Sequence, residues 1–204
     1  MSIQKQRSDN STINSPYVIA NGQHNLVLLI VDQLSDPQPE FQGIWLLITL
    51  PHSSKITLVP VFPAQHASET FTKTFTVTKE NQPGDDFLQL LTEKFLWHDY
   101  LVIDRTGIAA VFETFDPVLM DTLNIDFPGD TRSLLEQQTS LWLGVCDFLP
   151  RFEGQDAFTQ KYHQVSSHFT TSFNMDDLPL FPWGAGKEED KLGCEFPTLN
   201  LISP

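Results

Sequence analysis

An apolar run that ends in a single carboxylate constrains this chain more than any other feature. Residues 26–31 are all Leu, Val or Ile, and Asp32 follows them directly. A strand that is apolar on both faces is typical of the centre of a sheet, and open α/β sheets bind ligands at the carboxyl ends of such strands. Asp32 is therefore the first candidate functional group. It is expected either to bind Mg²⁺ or to cap the turn after the strand with its own side chain.

The rest of the chain alternates between strand and helix patterns. Strict alternation over residues 70–78 predicts a half-exposed edge strand. Further strands are predicted where short apolar runs occur, at 44–50, 55–61, 99–104 and 195–199. Helices are predicted where apolar residues recur every three or four positions, at 87–95, 106–115, 134–148 and 158–169. The strands predicted at 44–50 and 55–61 flank the short turn 51–54 and are expected to form a hairpin. This order predicts one α/β domain whose mixed central sheet is covered by helices.

Charge and hydropathy exclude several classes of partner. The 26 acidic residues outnumber the 12 basic ones, and the net charge of −14 repels nucleic acids and anionic membrane surfaces. No apolar run reaches the ~18 residues of a membrane-spanning helix. Residues 1–25 contain no apolar segment of the kind that a secretion signal needs. We therefore expect either a cytosolic protein or a soluble segment of a longer one, attached to a membrane only through a segment outside this chain. The sequence leaves the oligomeric state undetermined.

The amino-terminal residues differ in composition from the rest. They are rich in Ser, Asn and Gln, which predicts a disordered or extended tail over residues 1–24 and a single domain over residues 25–204. The two cysteines, Cys146 and Cys194, leave two interpretations open. The position of Cys146 in an apolar helix favours a small buried hydrophobic residue, and a disulfide between the two is the alternative.

Residues that commonly carry chemistry are sparse. The common hydrolase, nucleotide-binding and zinc-protease motifs are absent from the sequence. His163 and His168 are five positions apart and would not share one face of a helix, which favours surface histidines over a metal site. We predict no catalytic residue. The candidates for binding a ligand are Asp32, Arg105 and Arg132, and Asp32 is also the candidate for binding a metal.

Several segments stand in an order that resembles a known family. The strand that ends in Asp32 comes first, and the hairpin at 45–60 follows it. A helix and a strand at 90–104 come next, then the start of a long helix at 130–138 and a loop at 171–178. In this order the segments resemble the LytR-CpsA-Psr family of bacterial cell-wall proteins.

The resemblance implies a function as well as an α/β fold. The family transfers a glycopolymer from a polyprenyl-pyrophosphate carrier to peptidoglycan. Arginines and aspartates with Mg²⁺ hold the pyrophosphate, and a hydrophobic tunnel holds the lipid. A cluster of cations suits this chemistry because the pyrophosphate and the leaving group both carry negative charge.

The chain departs from the family where the charges should stand. Gln33 replaces the arginine after the first aspartate, residues 41–44 (Phe-Gln-Gly-Ile) replace a charged run, and residues 62–64 (Phe-Pro-Ala) replace Pro-Arg-Asp. Only Asp32 and Arg132 correspond to the family's site. We therefore expect a catalytically degenerate envelope domain that needs no cofactor. It would bind a polyprenyl phosphate or another apolar ligand as an accessory module on the extracellular face of a bacterium.

Two alternatives to this prediction remain open. One is an active glycopolymer transferase that uses Asp32, Arg105 and Arg132 with Mg²⁺ in a rearranged site. The other is a cytosolic protein with an unrelated α/β fold and an unrelated function.

Overall fold

A single six-stranded mixed sheet organises the protein. The computed structural model describes residues 20–51, 53–63, 68–115, 131–148, 166–173 and 193–197. The strands are β1 (His24–Val31), β2 (Phe41–Thr49), β3 (Lys55–Phe62), β4 (Asp99–Asp104), β5 (Phe169–Thr171) and β6 (Gly193–Glu195). Their order in the sheet is β5-β4-β1-β2-β3-β6. Strand β1 pairs antiparallel with β2 and parallel with β4, so the most apolar segment of the chain lies at the centre.

Helices cover both faces of the sheet, which confirms the predicted α/β class and the single domain. They are α1 (Ser68–Thr74), α2 (Asp85–Lys94), α3 (Arg105–Phe115) and α4 (Thr131–Phe148), with a 3-10 turn at Ser166–His168. Within the described residues, no helix has the length and apolar character needed to cross a membrane. The predicted division at residue 25 stays a prediction, because residues 1–19 lie outside the described part of the chain.

The alternation of β1 divides its side chains between two hydrophobic layers. Leu26, Leu28 and Ile30 point to one face, where Ile108 of α3 and Leu141 of α4 cover them. We call this the α3/α4 face. The opposite face is covered by α1 and α2 and is called the α1/α2 face. Its buried side chains from β1 and these two helices are Val27, Leu29, Val31, Phe71, Phe87 and Leu91.

Most predicted elements are present, but two near the carboxyl terminus differ. The predicted helix at 158–169 lies largely outside the described residues, and its last residue, Phe169, is in β5 instead. Phe169 pairs with Ile103 of β4, and this long-range pairing overrides the helical spacing. The predicted strand at 195–199 is wrong at residues 196 and 197, because β6 ends at Glu195. Residues 198 and 199 lie outside the described part.

The predicted edge strand at 70–78 is wrong, because residues 68–74 form helix α1. The alternating Phe71, Lys73 and Phe75 also fit a helix, in which positions four apart share one face. Phe71 and Phe75 are buried on the α1/α2 face, and the backbone N–H of Phe75 donates to the carbonyl of Phe71 at 2.9 Å. Lys73 is exposed. The aromatic side chains therefore decide the local structure through the core that they fill.

The two cysteines form a disulfide, so the prediction of Cys146 as an unpaired buried side chain is wrong. Cys146 of α4 and Cys194 of β6 have Cα atoms 5.5 Å apart, although 48 positions separate them in the sequence. Helix α4 packs over the sheet next to β6, and this packing brings the two sulfurs together. The pairing depends on tertiary structure that the sequence pattern does not contain.

Candidate functional site

Asp32 lies at the carboxyl end of β1 and closes the loop that follows. Its Oδ1 accepts a hydrogen bond from the backbone N–H of Glu40 at 2.6 Å, and its own N–H donates to the carbonyl of Glu40 at 3.0 Å. The seven residues between Asp32 and Glu40 are thereby held as a closed loop. This is the role of a turn cap, one of the two roles predicted for Asp32. A role in binding Mg²⁺ stays a prediction.

Asp104, at the carboxyl end of the neighbouring strand β4, has the most buried carboxylate of the site. Only 1% of the residue is exposed. Its Oδ1 accepts from the N–H of Gly107 at 2.7 Å and caps helix α3. Its Oδ2 accepts from the N–H of Leu34 at 3.0 Å and contacts Nδ1 of His168 at 2.9 Å. One carboxylate thus fixes a helix start, the loop after β1 and the 3-10 turn.

Sequence reasoning missed Asp104 as a site residue and misjudged His168. The signal was available, because Asp104 ends an apolar strand just as Asp32 does. His168 was predicted to be a surface histidine, but only 32% of its side chain is exposed and its ring is held by Asp104. Its partner in that prediction, His163, lies outside the described residues.

The two candidate arginines are placed differently. Arg105 is the first residue of α3, and its backbone N–H donates to the carbonyl of Asp32 at 3.4 Å. The structure thus brings Asp32, Asp104 and Arg105 to the same end of the β1–β4 pair. Arg132 belongs to the first turn of α4, and its side chain lies outside the described part of the structure.

Stacked phenylalanines occupy the positions where the family resemblance would place charges. Phe41 and Phe62 stack with ring centroids 5.4 Å apart, and each is 7% exposed. Phe75, which directly follows α1, lies 4.6 Å from Phe41, and Phe87 of α2 lies 5.4 Å from it, again between centroids. The strand pairing shifts register beside both Phe41 and Phe62, as β-bulges do. These rings supply neither charge nor hydrogen-bond donors for a pyrophosphate.

On the other face, a buried glutamine of α4 holds the start of β2. Gln138 is fully buried, its Oε1 accepts from Trp45 Nε1 at 2.7 Å, and its Nε2 donates to the carbonyl of Gln42 at 3.0 Å. Gly43 makes this contact possible, because a Cβ there would lie 2.8 Å from the Gln138 amide. The resemblance had pointed to this segment of the long helix, although not to its role in packing.

A second polar cluster lies at the opposite, amino-terminal end of the β1–β4 pair. Asp99 contacts Nε2 of His24 at 3.5 Å and accepts from the Ser172 hydroxyl at 2.8 Å. His98 stacks on His24 at 4.9 Å between centroids and accepts from the N–H of Asn25 at 3.0 Å. Among the described residues, no three His, Cys, Asp or Glu side chains are placed to hold a metal ion. The hydrogen bonds of this cluster join β1, β4 and the segment after β5.

Comparisons with known proteins give similarity at the level of structure. No family model matches the chain, and no curated protein matches it. The solved structure of B. subtilis TagV superposes with a TM-score of 0.55 at 7% identity, over 87% of this chain and 85% of TagV. TagT bound to LI-WTA superposes with a TM-score of 0.50 at 10% identity, over 90% of this chain and 81% of TagT. TagV and TagT are LytR-CpsA-Psr enzymes. The fold of this chain is the LytR-CpsA-Psr fold.

The LytR-CpsA-Psr fold confirms the structural part of the resemblance, and the alternative of an unrelated α/β fold is wrong. The fold is related to cell-wall glycopolymer proteins. A structure named as a transcriptional regulator is also similar. The transcriptional regulator yvhJ from Bacillus subtilis superposes with a TM-score of 0.52 at 8% identity, over 87% of this chain and 83% of that one. At such identities the similarity describes the fold alone.

Proposed function

We propose that this protein is a non-catalytic domain of the bacterial envelope that binds a polyprenyl-linked or other apolar ligand. It acts as an accessory module on the extracellular side and does not transfer glycopolymer. The observation that carries the proposal is the stacked pair of Phe41 and Phe62 at the positions where the resemblance calls for charged residues. An apolar ligand needs only apolar surface, whose burial contributes roughly 25 cal/mol per Å².

The hydrogen bonds of the two site aspartates support the absence of transfer chemistry. Oδ1 of Asp32 is used to close a loop, and both oxygens of Asp104 are used to fix the backbone and His168. A pyrophosphate site needs cations arranged around the leaving group. Arg105 begins α3 directly after Asp104, so the described part of the chain places one arginine beside these aspartates.

The disulfide supports a location outside the cytoplasm. Disulfides such as Cys146–Cys194 persist in oxidising surroundings, whereas cytosolic thiols are kept reduced. The resemblance to cell-wall proteins leads to the same compartment. Measuring the redox state of the two cysteines in intact cells, by trapping free thiols with an alkylating reagent, tests this part of the proposal. Alkylation of both cysteines before lysis would contradict it.

Ligand binding is tested by native mass spectrometry on the purified protein, with C55 polyprenyl phosphate and polyprenyl pyrophosphate as probes. The proposal predicts that the protein retains both lipids and that adding Mg²⁺ does not change the fraction of protein bound to either one. Short-chain prenyl phosphates carry the same charge with far less apolar surface and are the matched control, which should not be retained. Absence of bound C55 lipid would remove the binding function. Retention of the pyrophosphate alone, and only with Mg²⁺, would instead favour the transferase.

Asp32→Ala separates the binding domain from the alternative of an active transferase, in which Asp32 and Arg105 would share a site. If Asp32 is only a cap, the substitution costs about 0.5–2 kcal/mol whether or not Mg²⁺ is present. If Asp32 holds Mg²⁺, the melting temperature of the unsubstituted protein rises with the metal concentration, and that of the variant does not. We expect the first outcome when melting temperatures are measured without Mg²⁺ and with about 10 mM Mg²⁺.

A further inference from the structure

The parallel pairing of β1 with β4 ends at a side chain instead of a backbone acceptor. The regular pairing begins at Leu26 and Asp99. One residue earlier, the carbonyl of Asn25 still accepts from the backbone N–H of His98 at 2.9 Å. The N–H of Asn25, however, donates to Nδ1 of the His98 ring at 3.0 Å. The imidazole therefore supplies the last acceptor between these two strands.

Asn25 depends on this acceptor because the residue is only 3% exposed, and a buried N–H without a partner is costly. Its side chain is also bonded at both ends. Nδ2 donates to the carbonyl of Leu96 at 2.9 Å, and Oδ1 accepts from Nε2 of Gln23 at 2.7 Å. These contacts fasten the connection between α2 and β4 to β1. We call Asn25, Leu96 and His98 the histidine latch.

The role of acceptor fixes the protonation state of His98. A histidine nitrogen accepts a hydrogen bond only through its lone pair, so Nδ1 carries no proton and the neutral ring carries its proton on Nε2. A proton added at Nδ1 would face the N–H of Asn25, and two donors cannot bond to each other. His98 is only half-buried, so a proton from the solvent can reach the ring. Protonation of His98 therefore removes the hydrogen bond to Asn25.

The titratable neighbours of His98 oppose an added positive charge on its ring. His24 stacks on His98 with the ring centroids 4.9 Å apart, and Nε2 of His24 lies 3.5 Å from Oδ2 of Asp99. Facing this group are the uncharged Ser172, whose hydroxyl donates to Asp99, and Thr49 of β2, whose hydroxyl donates to the carbonyl of His24. Two protonated rings at this distance would repel each other, and one carboxylate balances only one of the two charges.

We propose that the histidine latch is an acid-sensitive switch, which is closed while His98 is neutral and opens when His98 takes up a proton. The closed latch binds one proton fewer than the open one. Its contribution to stability is therefore complete above the ordinary histidine range, around pH 6.5, and is lost progressively as the pH falls below it. Opening releases residues 95–98 from β1 and leaves the regular pairing of β1 with β4 in place. This inference goes beyond the proposed function, because the switch needs no ligand.

Amide hydrogen exchange of the intact protein, followed by NMR at about pH 7.5 and about pH 5, tests the switch. Each rate is divided by that of an unstructured peptide at the same pH, which gives the protection of the amide. The protection of the Asn25 amide should fall at least about tenfold in acid, and that of Leu29 in the middle of β1 should change by less than about twofold. Unchanged protection of Asn25, or an equal fall at Leu29, would overturn the proposal.

Two substitutions separate the two stacked histidines. His98→Asn places an amide oxygen close to the position of Nδ1, and this oxygen accepts a hydrogen bond without titrating. The protection of the Asn25 amide in this variant should be the same at both pH values. His24→Phe is the matched control, because it keeps a stacked ring without a titratable group, and it should retain the acid response. A full acid response in His98→Asn, or its loss in His24→Phe, would overturn the assignment of His98 as the sensor.

The tautomer of His98 tests the latch without any substitution. In the unsubstituted protein at about pH 7.5, the ¹⁵N shifts of the ring should identify Nδ1 as the unprotonated nitrogen and Nε2 as the protonated one. This measurement applies even if a variant does not fold. A ring that carries its proton on Nδ1 would overturn the proposal, because Nδ1 could not then accept from Asn25.

Discussion

The two faces of the sheet are formed by the same strands but are covered in different ways. The α1/α2 face is packed with aromatic rings, and successive rings contact one another. The phenylalanines in this chain of contacts are Phe41, Phe62, Phe71, Phe75, Phe87 and Phe95. The α3/α4 face instead contains the buried Gln138 and the Cys146–Cys194 disulfide, and among the described residues of α4 the buried Oε1 of Gln137 and Nε1 of Trp142 have no hydrogen-bond partner. On the α1/α2 side, Trp97 Nε1 is the corresponding unpaired atom among the described residues.

This difference assigns different tasks to the two layers. Aromatic rings bury a large area each and gain further from their mutual contacts, so the α1/α2 face supplies much of the stability of the fold. Unpaired buried atoms have the opposite effect, and a disulfide retains the helix that buries them. The α3/α4 face is thus the layer that relies on a covalent cross-link.

Truncating a fully buried ring on the α1/α2 face should have the largest effect. Phe87 is 0% exposed and contacts Phe41, Phe71 and Phe75. Phe87→Ala should reduce the free energy of unfolding by about 3–5 kcal/mol, measured by urea denaturation. Leu135→Ala on the α3/α4 face is the companion variant and should cost less, because Leu135 is only half-buried. A greater loss at Leu135 would reverse the comparison of the two faces.

Removal of the disulfide should be the next largest effect. The Cys146–Cys194 bond closes a loop with a sequence separation of 48, and it restricts the unfolded chain more than the folded one. Cys146→Ser with Cys194→Ser should lower the free energy of unfolding by about 2–4 kcal/mol under non-reducing conditions. Dithiothreitol should give a similar loss in the unsubstituted protein and none in the variant. Equal stability of the oxidised and reduced proteins would show that the α3/α4 face needs no covalent support.

Asp104→Ala should have a smaller effect at the edge of the α3/α4 face. The substitution leaves the N–H groups of Gly107 and Leu34 and the His168 ring without their acceptor. We expect a loss of about 1–3 kcal/mol in urea denaturation, because buried donors remain unsatisfied. Glu80→Ala removes an exposed carboxylate and should change stability by less than about 0.5 kcal/mol. If Asp104→Ala left the free energy of unfolding unchanged, water would have to reach these donors.

The smallest effect concerns pH on the α1/α2 face. Burial raises the pKa of the Tyr100 phenol, whose hydroxyl donates to Oε1 of Gln82 at 2.9 Å. The neutral phenol is favoured in the folded state, so its contribution to stability is complete below the ordinary pKa of about 10 and is lost as pH rises through the raised value. Absorbance at about 295 nm should show that phenolate forms in the folded protein only above pH ~10. The denatured protein should form it near pH ~10, and Tyr100→Phe removes the difference between the two titrations. Coincident titrations of the folded and denatured protein would show that water reaches Tyr100.

The strands of the central sheet could be predicted because their signal is local. The apolar run before Asp32, the hairpin at 45–60 and the strand that ends in Asp104 each specify extended structure through their own residues. The long helix could be predicted for the same reason. Helix α1 could not, because Phe71 and Phe75 fit a strand equally well until Phe41 and Phe87 are placed against them. Strand β5 likewise depends on its pairing with β4.

The candidate site was predictable only in part. A carboxylate after a buried strand identified Asp32, and the same rule applied to β4 would have identified Asp104. The role of Asp104 was not predictable, because its partners Leu34 and His168 are 70 and 64 positions away in the sequence. The pairing of Cys146 with Cys194 and the burial of Gln138 against Gly43 depend on distant segments in the same way.

The sequence by itself determined the sheet-forming segments and the uncharged residues at three places where the resemblance calls for charge. Both are properties of residues next to one another in the chain, and hydrophobic periodicity or residue identity expresses them directly. Tertiary structure alone decided that the rings of Phe41 and Phe62 stack, which atoms share a hydrogen bond and which polar atoms are left without one. These depend on the packing of segments far apart in the sequence. Packing at close density fixes such contacts only when the whole fold is assembled.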